Sequence, residues 1–199
     1  MNYDSVPLRD FKELNDWETV IFVYQSALKK INILNGEFQH RHKYNPIEHV
    51  KSRIKTPESI VKKLKRHGYE SSIENMVRYV NDIAGIRISC SFTSDIYLIA
   101  DMISKQNDLT ILAGRDYMKN PKKSGYRSYH MLVTTPVFLS DSIIDTKVEI
   151  QIRTVAQDFW ATLEHKMHYK FEGDGPDYIT KELRECARYV AELDARMEE

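Results

Sequence analysis

The sequence lacks the features that place a chain in a membrane or outside the cell. No apolar stretch in its 199 residues approaches the roughly 20 residues that span a bilayer, and the mean hydropathy is −0.51. The first residues contain no basic segment followed by an apolar one, so we expect no secretory signal. The two cysteines, Cys90 and Cys186, are far apart and fit neither a zinc nor a disulfide pattern. These absences predict a cytoplasmic protein without a membrane partner.

The chain also lacks net charge and the common nucleotide-binding motifs. Its 29 basic and 29 acidic residues balance, which argues against broad, non-specific nucleic-acid binding. There is no Walker A motif, no paired-glycine dinucleotide fingerprint and no serine nucleophile elbow. The charge is nevertheless uneven, because segment 41–66 contains nine Lys and Arg residues and only two Glu residues. A local basic patch is therefore compatible with the neutral total.

Hydrophobic periodicity predicts an α+β fold. A long amphipathic helix over 10–42 carries an apolar residue every three or four positions from Leu14 to Leu34. Further helices are predicted over 57–67, 71–80, 95–106, 155–170 and 177–198. The other predicted elements are strands over 83–92, 109–112, 129–138 and 146–153, a loop over 113–127 and a turn at 173–176. We expect a mixed β-sheet of about five strands flanked by helices, with a helix at each end of the chain.

Two acids lie in separate strand-like runs, Asp82 just before Ile83 and Glu149 between Val148 and Ile150. A charged residue in an apolar strand is costly to bury unless it is paired or binds a metal. On neighbouring strands, the two carboxylates fit a Mg²⁺ site that leaves positions for water and substrate phosphates. The alternative is a structural ion pair, such as Asp82 with Arg153.

A basic region precedes these strands. Its candidate phosphate-binding residues are Arg53 and Lys55, followed at three- or four-residue spacing by Ser59, Lys63 and Arg66. On a helix that begins near Pro57, the last three lie on one face, and a helix N-terminus with such side chains suits a polyphosphate. The alternative is an ordinary basic face in contact with solvent.

The predicted loop over 113–127 and the strand after it combine a glycine turn with hydrogen-bond donors and aromatic rings. These residues include Arg115, Lys122, Tyr126, Tyr129 and His130. A tyrosine can stack on a nucleobase while Lys and Arg hold its phosphates. The alternative is a hairpin loop in which Tyr126 and Tyr129 pack onto the core.

Together and in this order, these segments resemble the synthetase domain of RelA/SpoT homologues, in particular the stand-alone small alarmone synthetases. The matching stretches are Asn45 to Lys55, Asp82 to Arg87, Asp116-Tyr117, Gly125 to Ser128, Glu149 to Thr154 and Phe159 to Lys166. The resemblance implies a helical extension over 1–43, a nucleotidyltransferase-like synthetase domain over 44–171 and a C-terminal helix over 172–199. We expect no hydrolase domain, and therefore synthesis without degradation.

The resemblance implies transfer of the β,γ-pyrophosphate of ATP to the ribose 3′-hydroxyl of GDP or GTP in the stringent response, with Mg²⁺ as cofactor. The implied ATP-binding residues are Arg53, Lys55, Ser59, Lys63, Arg66 and Arg87, of which the first and last sandwich adenine. The implied acceptor-binding residues are Arg115, Lys122, Tyr126, His130 and Asp158. Asp82 and Glu149 would be the metal ligands and catalytic acids, with Glu149 activating the 3′-hydroxyl and Gln151 and Arg153 supporting the site.

Two of these roles concern guanine. Tyr126 resembles the residue that stacks on the base. Asp158 stands where some relatives have Asn, and its carboxylate can accept hydrogen bonds from the guanine N1–H and the N2 amine. A preference for guanine is therefore an expectation that the resemblance supports at two positions.

The resemblance also implies a homotetramer formed through the terminal helices, which fits the apolar stripe over 14–34. A second reading keeps the chemistry but makes the 3′ end of tRNA the acceptor. The chain would then be a translation-blocking toxin neutralised by an antitoxin, with Lys29-Lys30 and the Arg41–Lys43 cluster contacting the acceptor stem. A third reading, a degenerate nucleotide-binding regulator, is disfavoured by the intact Asp82, Glu149 and Tyr126.

Overall fold

The computed structural model of the protein describes residues 17–41, 44–171 and 177–199, which form six helices and five strands. The helices are α1 (Trp17–Arg41), α2 (Pro57–Arg66), α3 (Ile73–Tyr79), α4 (Thr93–Ser104), α5 (Val155–Lys170) and α6 (Asp177–Glu198). The strands are β1 (Ile47–Ile54), β2 (Ala84–Cys90), β3 (Thr110–Asp116), β4 (Tyr129–Phe138) and β5 (Ile143–Thr154). The predicted α+β class with a mixed five-stranded sheet is confirmed.

The strands form one sheet in the order β1-β2-β5-β4-β3. Strands β2 and β5 are parallel, and the other neighbouring pairs are antiparallel. Because side chains alternate along a strand, the two central strands present different residues to the two faces of the sheet. The apolar set is buried with residues of α1 and α4 in one core, and it includes Ile86, Ile88, Val148, Ile150 and Ile152. The polar set faces the other way and forms the candidate site.

Helix α1 covers the apolar face of the sheet. Its buried residues are Val20, Val23, Tyr24, Ala27, Leu28 and Ile31, all within the main core. Three residues of the stripe read from the sequence, Tyr24, Leu28 and Ile31, are therefore used inside this chain and supply no argument for an oligomer. Leu14 lies outside the described residues.

Strand β1 was not predicted from the sequence. It is an edge strand in which Ile47 is buried while most of its other residues are exposed, and its register shifts between Ile47 and His49. The apolar alternation that signals a half-buried strand is therefore weak here. The strand matters because it carries Arg53 along the edge of the site.

Other boundaries differ by a few residues. Strand β3 runs to Asp116 and so takes up the start of the predicted loop over 113–127, while β5 begins at Ile143 rather than near 146. The predicted turn over 173–176 lies outside the described residues. Within the described part of the chain, no helix is long and apolar enough to cross a membrane.

Candidate nucleotide site

A cleft of about 530 Å³ opens on the polar face of the sheet. Eight of the residues singled out from the sequence line it: Arg53, Arg87, Lys122, Tyr126, His130, Glu149, Gln151 and Arg153. They come from β1, β2, β4, β5 and the loop before β4. The strand order thus gathers residues from distant parts of the sequence into one cleft.

The strand register arranges the cleft floor in two rows. In the first row Arg53, Gly85 and Glu149 are neighbours across β1, β2 and β5. In the second row Lys51, Arg87, Gln151 and His130 are neighbours across β1, β2, β5 and β4. Gly85 has no side chain, and a Cβ there would lie 3.7 Å from the Arg53 Cγ, which is ordinary contact. The glycine therefore leaves the floor open between Arg53 and Glu149 without being forced by crowding.

Four cleft residues form a hydrogen-bonded set, here called the Glu149 network: Tyr126, His130, Glu149 and Gln151. The Gln151 Nε2 donates to the Glu149 Oε2 at 3.0 Å, and the Tyr126 Oη lies 2.9 Å from the His130 Nε2. The Tyr126 Oη also lies 3.5 Å from the Gln151 Oε1. The carboxylate of Glu149 is thus held by neighbouring side chains and still faces the cleft.

His130 is uncharged in this network. Burial lowers its pKa to about 3, and the cations Lys122, Arg153 and Arg115 act in the same direction. Its Nδ1 lies 3.8 Å from the Glu149 Oε1, so the contact at neutral pH is between a neutral ring and a carboxylate. Burial raises the pKa of Tyr126, so its hydroxyl keeps its proton and can donate to the His130 Nε2. That hydrogen bond favours the ring form with N–H on Nδ1, toward Glu149.

Arg153 fixes the orientation of the Gln151 amide. Its Nη2 donates to the Gln151 Oε1 at 2.7 Å, so the amide nitrogen must face Glu149. Arg153 is 1% exposed, and its guanidinium lies 5.5 Å from the centre of the Tyr126 ring. Burial lowers the pKa of this arginine. The supporting role expected for Gln151 and Arg153 has a structural counterpart in these contacts.

Asp158 lies among cations rather than on the cleft lining. Its carboxylate oxygens are 3.5 Å from the Arg153 Nε, 3.6 Å from the Arg87 Nη1 and 3.7 Å from the Lys51 Nζ. The expected hydrogen bonds to guanine would have to compete with these three ion pairs. In this arrangement Asp158 holds two cleft arginines in place.

Asp82 lies outside the cleft lining, in a set here called the Asp82 cluster: Asp82, Lys55 and Lys63. The Lys55 Nζ donates to the Asp82 Oδ2 at 2.5 Å, and the Lys63 Nζ donates to the Asp82 Oδ1 at 2.8 Å. Burial alone would raise the pKa of Asp82, but these two lysines outweigh it and lower the pKa to about 2. The alternative pairing of Asp82 with Arg153 is wrong, because Asp82 pairs with the two lysines and Arg153 with Asp158.

Three further residues predicted to contact phosphates, Ser59, Arg66 and Arg115, are dispersed. The Ser59 Oγ accepts a hydrogen bond from the Thr56 Oγ1, and the Thr56 side chain caps the N-terminus of α2. Arg66 is exposed in the last turn of α2, at the opposite end from the cap. Arg115 is exposed on β3, with its Nη1 3.4 Å from the Tyr117 Oη. None of the three lines the cleft in this structure.

The loop that carries Tyr126 is fixed by helix α6. Gly125 has φ +94°, a left-handed conformation, and a Cβ there would lie 2.5 Å from the Ala187 Cβ. The Gly125 N–H donates to the Lys122 carbonyl at 2.8 Å, and the Lys122 N–H donates to the Tyr126 carbonyl at 3.1 Å. Only glycine combines this backbone with so close an approach. The sequence showed the glycine turn, but it did not show that the C-terminal helix supports it.

The donor set suits Mg²⁺ only with help from a substrate. Within residues 17–41, 44–171 and 177–199, no three His, Cys, Asp or Glu side chains are grouped as a metal site. Asp82 and Glu149 are hard carboxylate donors, and Mg²⁺ commonly takes one or two carboxylates with water and phosphate oxygens. The residues therefore fit an ion that arrives with a nucleotide rather than one enclosed by protein ligands.

Comparison with known proteins identifies the family. Residues 52–174 match the model of the region found in RelA and SpoT proteins. The chain belongs to the RelA/SpoT family. GTP pyrophosphokinase YwaC of Bacillus subtilis (strain 168) is 45% identical over 188 residues, which cover 92% of this chain and 90% of the relative. GTP pyrophosphokinase YjbM of the same organism is 34% identical over 187 residues, which cover 92% and 87%.

Solved structures of RelA/SpoT relatives have the same fold. Small alarmone synthetase 2 of B. subtilis has a TM-score of 0.83 at 44% identity, with 91% of this chain and 96% of that chain covered. Small alarmone synthetase 1 has a TM-score of 0.85 at 35% identity, covering 92% and 94%. Synthetase 1 bound to its product pppGpp has a TM-score of 0.83 at 34% identity, with the same coverage. The resemblance read from the sequence is confirmed.

Proposed function

We propose that this protein is a GTP pyrophosphokinase that makes (p)ppGpp, transferring the β,γ-pyrophosphate of ATP to the ribose 3′-hydroxyl of GDP or GTP. The observation that carries the proposal is the position of Glu149. It lies on the cleft floor between Arg53 and Arg87 on one side and Tyr126 and His130 on the other. A carboxylate between two groups of nucleotide-binding residues suits a reaction between two nucleotides. The relatives named above, which match nearly along their whole length, support the same activity.

The chemistry requires positioning more than covalent catalysis. The acceptor O3′ attacks the β-phosphorus of ATP, the bond from that phosphorus to the α,β-bridging oxygen breaks, and AMP leaves with that oxygen. Glu149 accepts the proton of the 3′-hydroxyl, and Gln151 holds its carboxylate toward the cleft. Holding both nucleotides in line removes much of the entropic barrier. The side chains that hold them are proposed to be Arg53 and Arg87 for adenine and Tyr126 for guanine.

The phosphates are assigned to basic and polar residues, of which Lys122 and His130 line the cleft. On the ATP side these are Lys55, Ser59, Lys63 and Arg66, and on the acceptor side Arg115, Lys122 and His130. Mg²⁺, proposed to be held by Asp82 and Glu149, would supply charge neutralisation on the transferred phosphates. His130 is neutral, so its one N–H would have to turn from Glu149 to reach the acceptor phosphate and would contribute a hydrogen bond rather than a charge.

The proposal includes a homo-oligomer, expected to be a tetramer in the cytoplasm. It rests on the exposed face of α6 and not on the apolar stripe of α1. Helix α6 carries exposed apolar side chains at four-residue spacing, namely Tyr189, Leu193 and Met197. Light scattering on the purified protein, compared with a Leu193→Glu variant, tests whether this face joins copies of the chain. A protein that is monomeric at micromolar concentration would contradict the oligomer.

Transfer to tRNA by a toxin has no comparable support. The Lys30 Nζ is engaged by the Asp108 Oδ2 at 3.1 Å and by the Pro136 carbonyl at 3.3 Å. Residues 42 and 43 lie outside the described residues. Nothing in the comparisons points to an antitoxin partner.

The deciding experiment supplies purified protein with γ-³²P-ATP, Mg²⁺ and one acceptor at a time: GDP, GTP, ATP or deacylated tRNA. We expect label on GDP or GTP, its loss in Glu149→Gln, and unchanged transfer in Glu185→Gln. Glu185 is an exposed acid on α6 paired with Arg188, so it controls for the loss of one carboxylate. Label on tRNA alone would replace the proposed acceptor. No transfer to any of the four would contradict the enzymatic function.

A further inference from the structure

Lys147 is a buried lysine on β5, two residues before Glu149, and no role followed for it from the sequence. It is 4% exposed. Its Nζ donates to the Arg78 carbonyl at 3.0 Å and to the Asn81 Oδ1 at 2.9 Å. Burying an ammonium group costs several kcal/mol unless hydrogen bonds compensate it. A methionine would fill similar space without that cost, so packing alone does not account for this lysine.

Both acceptors of Lys147 lie near the end of α3, one in its last turn and one in the segment that joins α3 to β2. Arg78 is in the last turn of α3, and Asn81 directly precedes Asp82. Side-chain alternation puts Lys147 on the same side of β5 as Glu149. One side chain thus ties the segment that carries Asp82 to the strand that carries Glu149.

The hydrogen bonds of Lys147 hold the chain next to Asp82, where a small shift would move the carboxylate. On its other side, the same segment is held by the Lys55 N–H, which donates to the Ile83 carbonyl at 2.7 Å. Asp82 is therefore fixed from both directions, by Lys55 directly after β1 and by β5 through Lys147 and Asn81. Mg²⁺ requires near-octahedral ligands at about 2.0–2.1 Å, so two carboxylates can share one ion only at a narrow range of separations.

We infer that Lys147 is a positioning residue that sets the separation of Asp82 from Glu149, acting through Asn81 and the Arg78 carbonyl. The inference rests on the proposed function in one respect, that the two acids serve one metal–ATP complex. Residues that orient metal ligands typically change metal affinity or activity by about 10–100-fold when they are replaced. Lys147 is assigned this kind of effect without contact with nucleotide or metal.

The test replaces the ammonium group with an apolar side chain of similar length, Lys147→Met. Mn²⁺ binding in the presence of α,β-methylene-ATP, followed by electron paramagnetic resonance, reports the metal site without any acceptor or turnover. We expect Mn²⁺ affinity in this ternary complex to fall about tenfold, and kcat to fall about 10–100-fold. The KM for GDP should change by less than about twofold, because the acceptor contacts are untouched. Amide hydrogen exchange should become faster in segment 80–83.

Two further variants separate positioning from stability. Thr146 directly precedes Lys147 on β5 and lies on the opposite face of the strand. Thr146→Val removes its buried hydroxyl, which donates to the Ile144 carbonyl. We expect it to lower the melting temperature without lowering Mn²⁺ affinity. Asn81→Ala removes one acceptor of Lys147 and should reproduce part of the Mn²⁺ effect. Lys147→Met and Asn81→Ala both break the same hydrogen bond. The loss of Mn²⁺ affinity in the double variant should therefore be smaller than the sum of the two single losses.

The inference is overturned if folded Lys147→Met binds Mn²⁺ and turns over as the wild type does. If Lys147→Met does not fold, Asn81→Ala decides, and wild-type Mn²⁺ affinity in that variant overturns the inference. Failure of the proposed function has a different signature, because wild-type protein would then transfer no pyrophosphate to GDP or GTP. The Mn²⁺ and hydrogen-exchange results for Lys147 are read independently of that outcome.

Discussion

The Asp82 cluster and the Glu149 network each place an acid at the centre of a group of polar side chains, but they stabilise it in opposite ways. Asp82 is neutralised by two ammonium groups, at 2.5 and 2.8 Å. Glu149 is held by the amide of Gln151 and lies near a neutral histidine. One acid is therefore held by charge and the other by hydrogen bonds. This difference determines how each responds to a bound polyphosphate.

Phosphate oxygens compete for lysines, so the Asp82 cluster is suited to rearrangement. If ATP binds as proposed, its phosphates would draw Lys55 and Lys63 away from Asp82, and the carboxylate would then be available to the proposed Mg²⁺. Within the Glu149 network, Glu149 is held by Gln151 and lies near a neutral ring, so substrate binding need not first break an ion pair of this carboxylate. Its geometry is set in advance by Arg153, Gln151 and the Tyr126 loop, which reduces reorganisation during the reaction.

A substitution of Asp82 should have the largest effect and should separate the Asp82 cluster from the Glu149 network. Asp82→Asn keeps the shape but removes the charge that is proposed to bind Mg²⁺, and we expect kcat to fall about 10³-fold, since metal stabilisation of the transition state is worth several kcal/mol. GDP affinity, measured by calorimetry, should stay within about twofold, because the Glu149 network is intact. Asp101→Asn, on an exposed acid paired with Lys105, is the control. Retention of most of the activity in Asp82→Asn would show that the cluster is only structural.

The acceptor side is disrupted at its backbone rather than at a charge. Gly125→Ala forces a left-handed backbone on alanine and brings its Cβ to 2.5 Å from the Ala187 Cβ. We expect a loss of about 2–4 kcal/mol in unfolding free energy, from strain and overpacking together. The KM for GDP should rise about 10–100-fold because Tyr126 moves with the loop, while ATP affinity changes little.

A second substitution separates the two causes. Ala187→Gly in the Gly125→Ala background removes the close Cβ contact but leaves the backbone strain. We therefore expect denaturant unfolding to show a partial recovery of stability. A complete recovery would mean that the positive φ costs nothing at this position, and no recovery would mean that the contact with α6 is unimportant.

Sequence reasoning succeeded where the signal is local. Central strands such as β2 and β5 alternate apolar residues with polar ones, and Glu149 within β5 and Asp82 just before β2 stand out beside their β-branched neighbours. Helix α2 was located by Thr56 and Pro57, and the structure shows the Thr56 cap and the proline at the helix start. The edge strand β1 was missed because its exposed face leaves little apolar alternation to read.

The partners of the acids could not be predicted from the sequence, because they depend on the fold. Asp82 is separated from Lys55 by a helix, a loop and a second helix, and a pairing with Arg153 was as reasonable beforehand. Asp158, expected at guanine, is surrounded by three cations from β1, β2 and β5. Lys147 belongs to no motif, and only the folded chain brings it to its acceptors, the Arg78 carbonyl in α3 and the Asn81 side chain after it.

Removing one positive charge from the Asp82 cluster should strengthen metal binding by the protein without nucleotide. In Lys63→Met the Asp82 Oδ1 loses its ammonium partner, and a hydrogen bond to a charged group contributes about 1.5–3 kcal/mol. We expect Mn²⁺ affinity without nucleotide to rise about tenfold, while ATP affinity falls. Lys65→Met removes the same charge from an exposed position on α2 and should change neither. Unchanged Mn²⁺ affinity in Lys63→Met would mean that the lysine does not compete with the metal.

His130 and Asp82 affect the pH dependence of stability in different pH windows. Burial lowers the pKa of His130 to about 3, from about 6.5 in the unfolded chain, so only the unfolded state takes up this proton as the pH falls below about 6.5. Unfolding free energy should then decrease by up to about 1.4 kcal/mol per pH unit, a slope that His130→Gln removes and exposed His49→Gln keeps.

Asp82 has its pKa lowered to about 2, because its lysine hydrogen bonds outweigh the effect of burial, so its contribution is present above about pH 4 and is lost as the pH falls toward 2. Denaturant unfolding between pH 7 and 4.5 therefore reports His130 with little contribution from the Asp82 cluster. Equal slopes for wild type and His130→Gln in that range would mean that the ring of His130 titrates in the folded protein as it does in the unfolded chain. The Glu149 network would then gain a positive charge near pH 6, and the contrast between an acid held by neutral groups and an acid held by ammonium groups would apply only at higher pH.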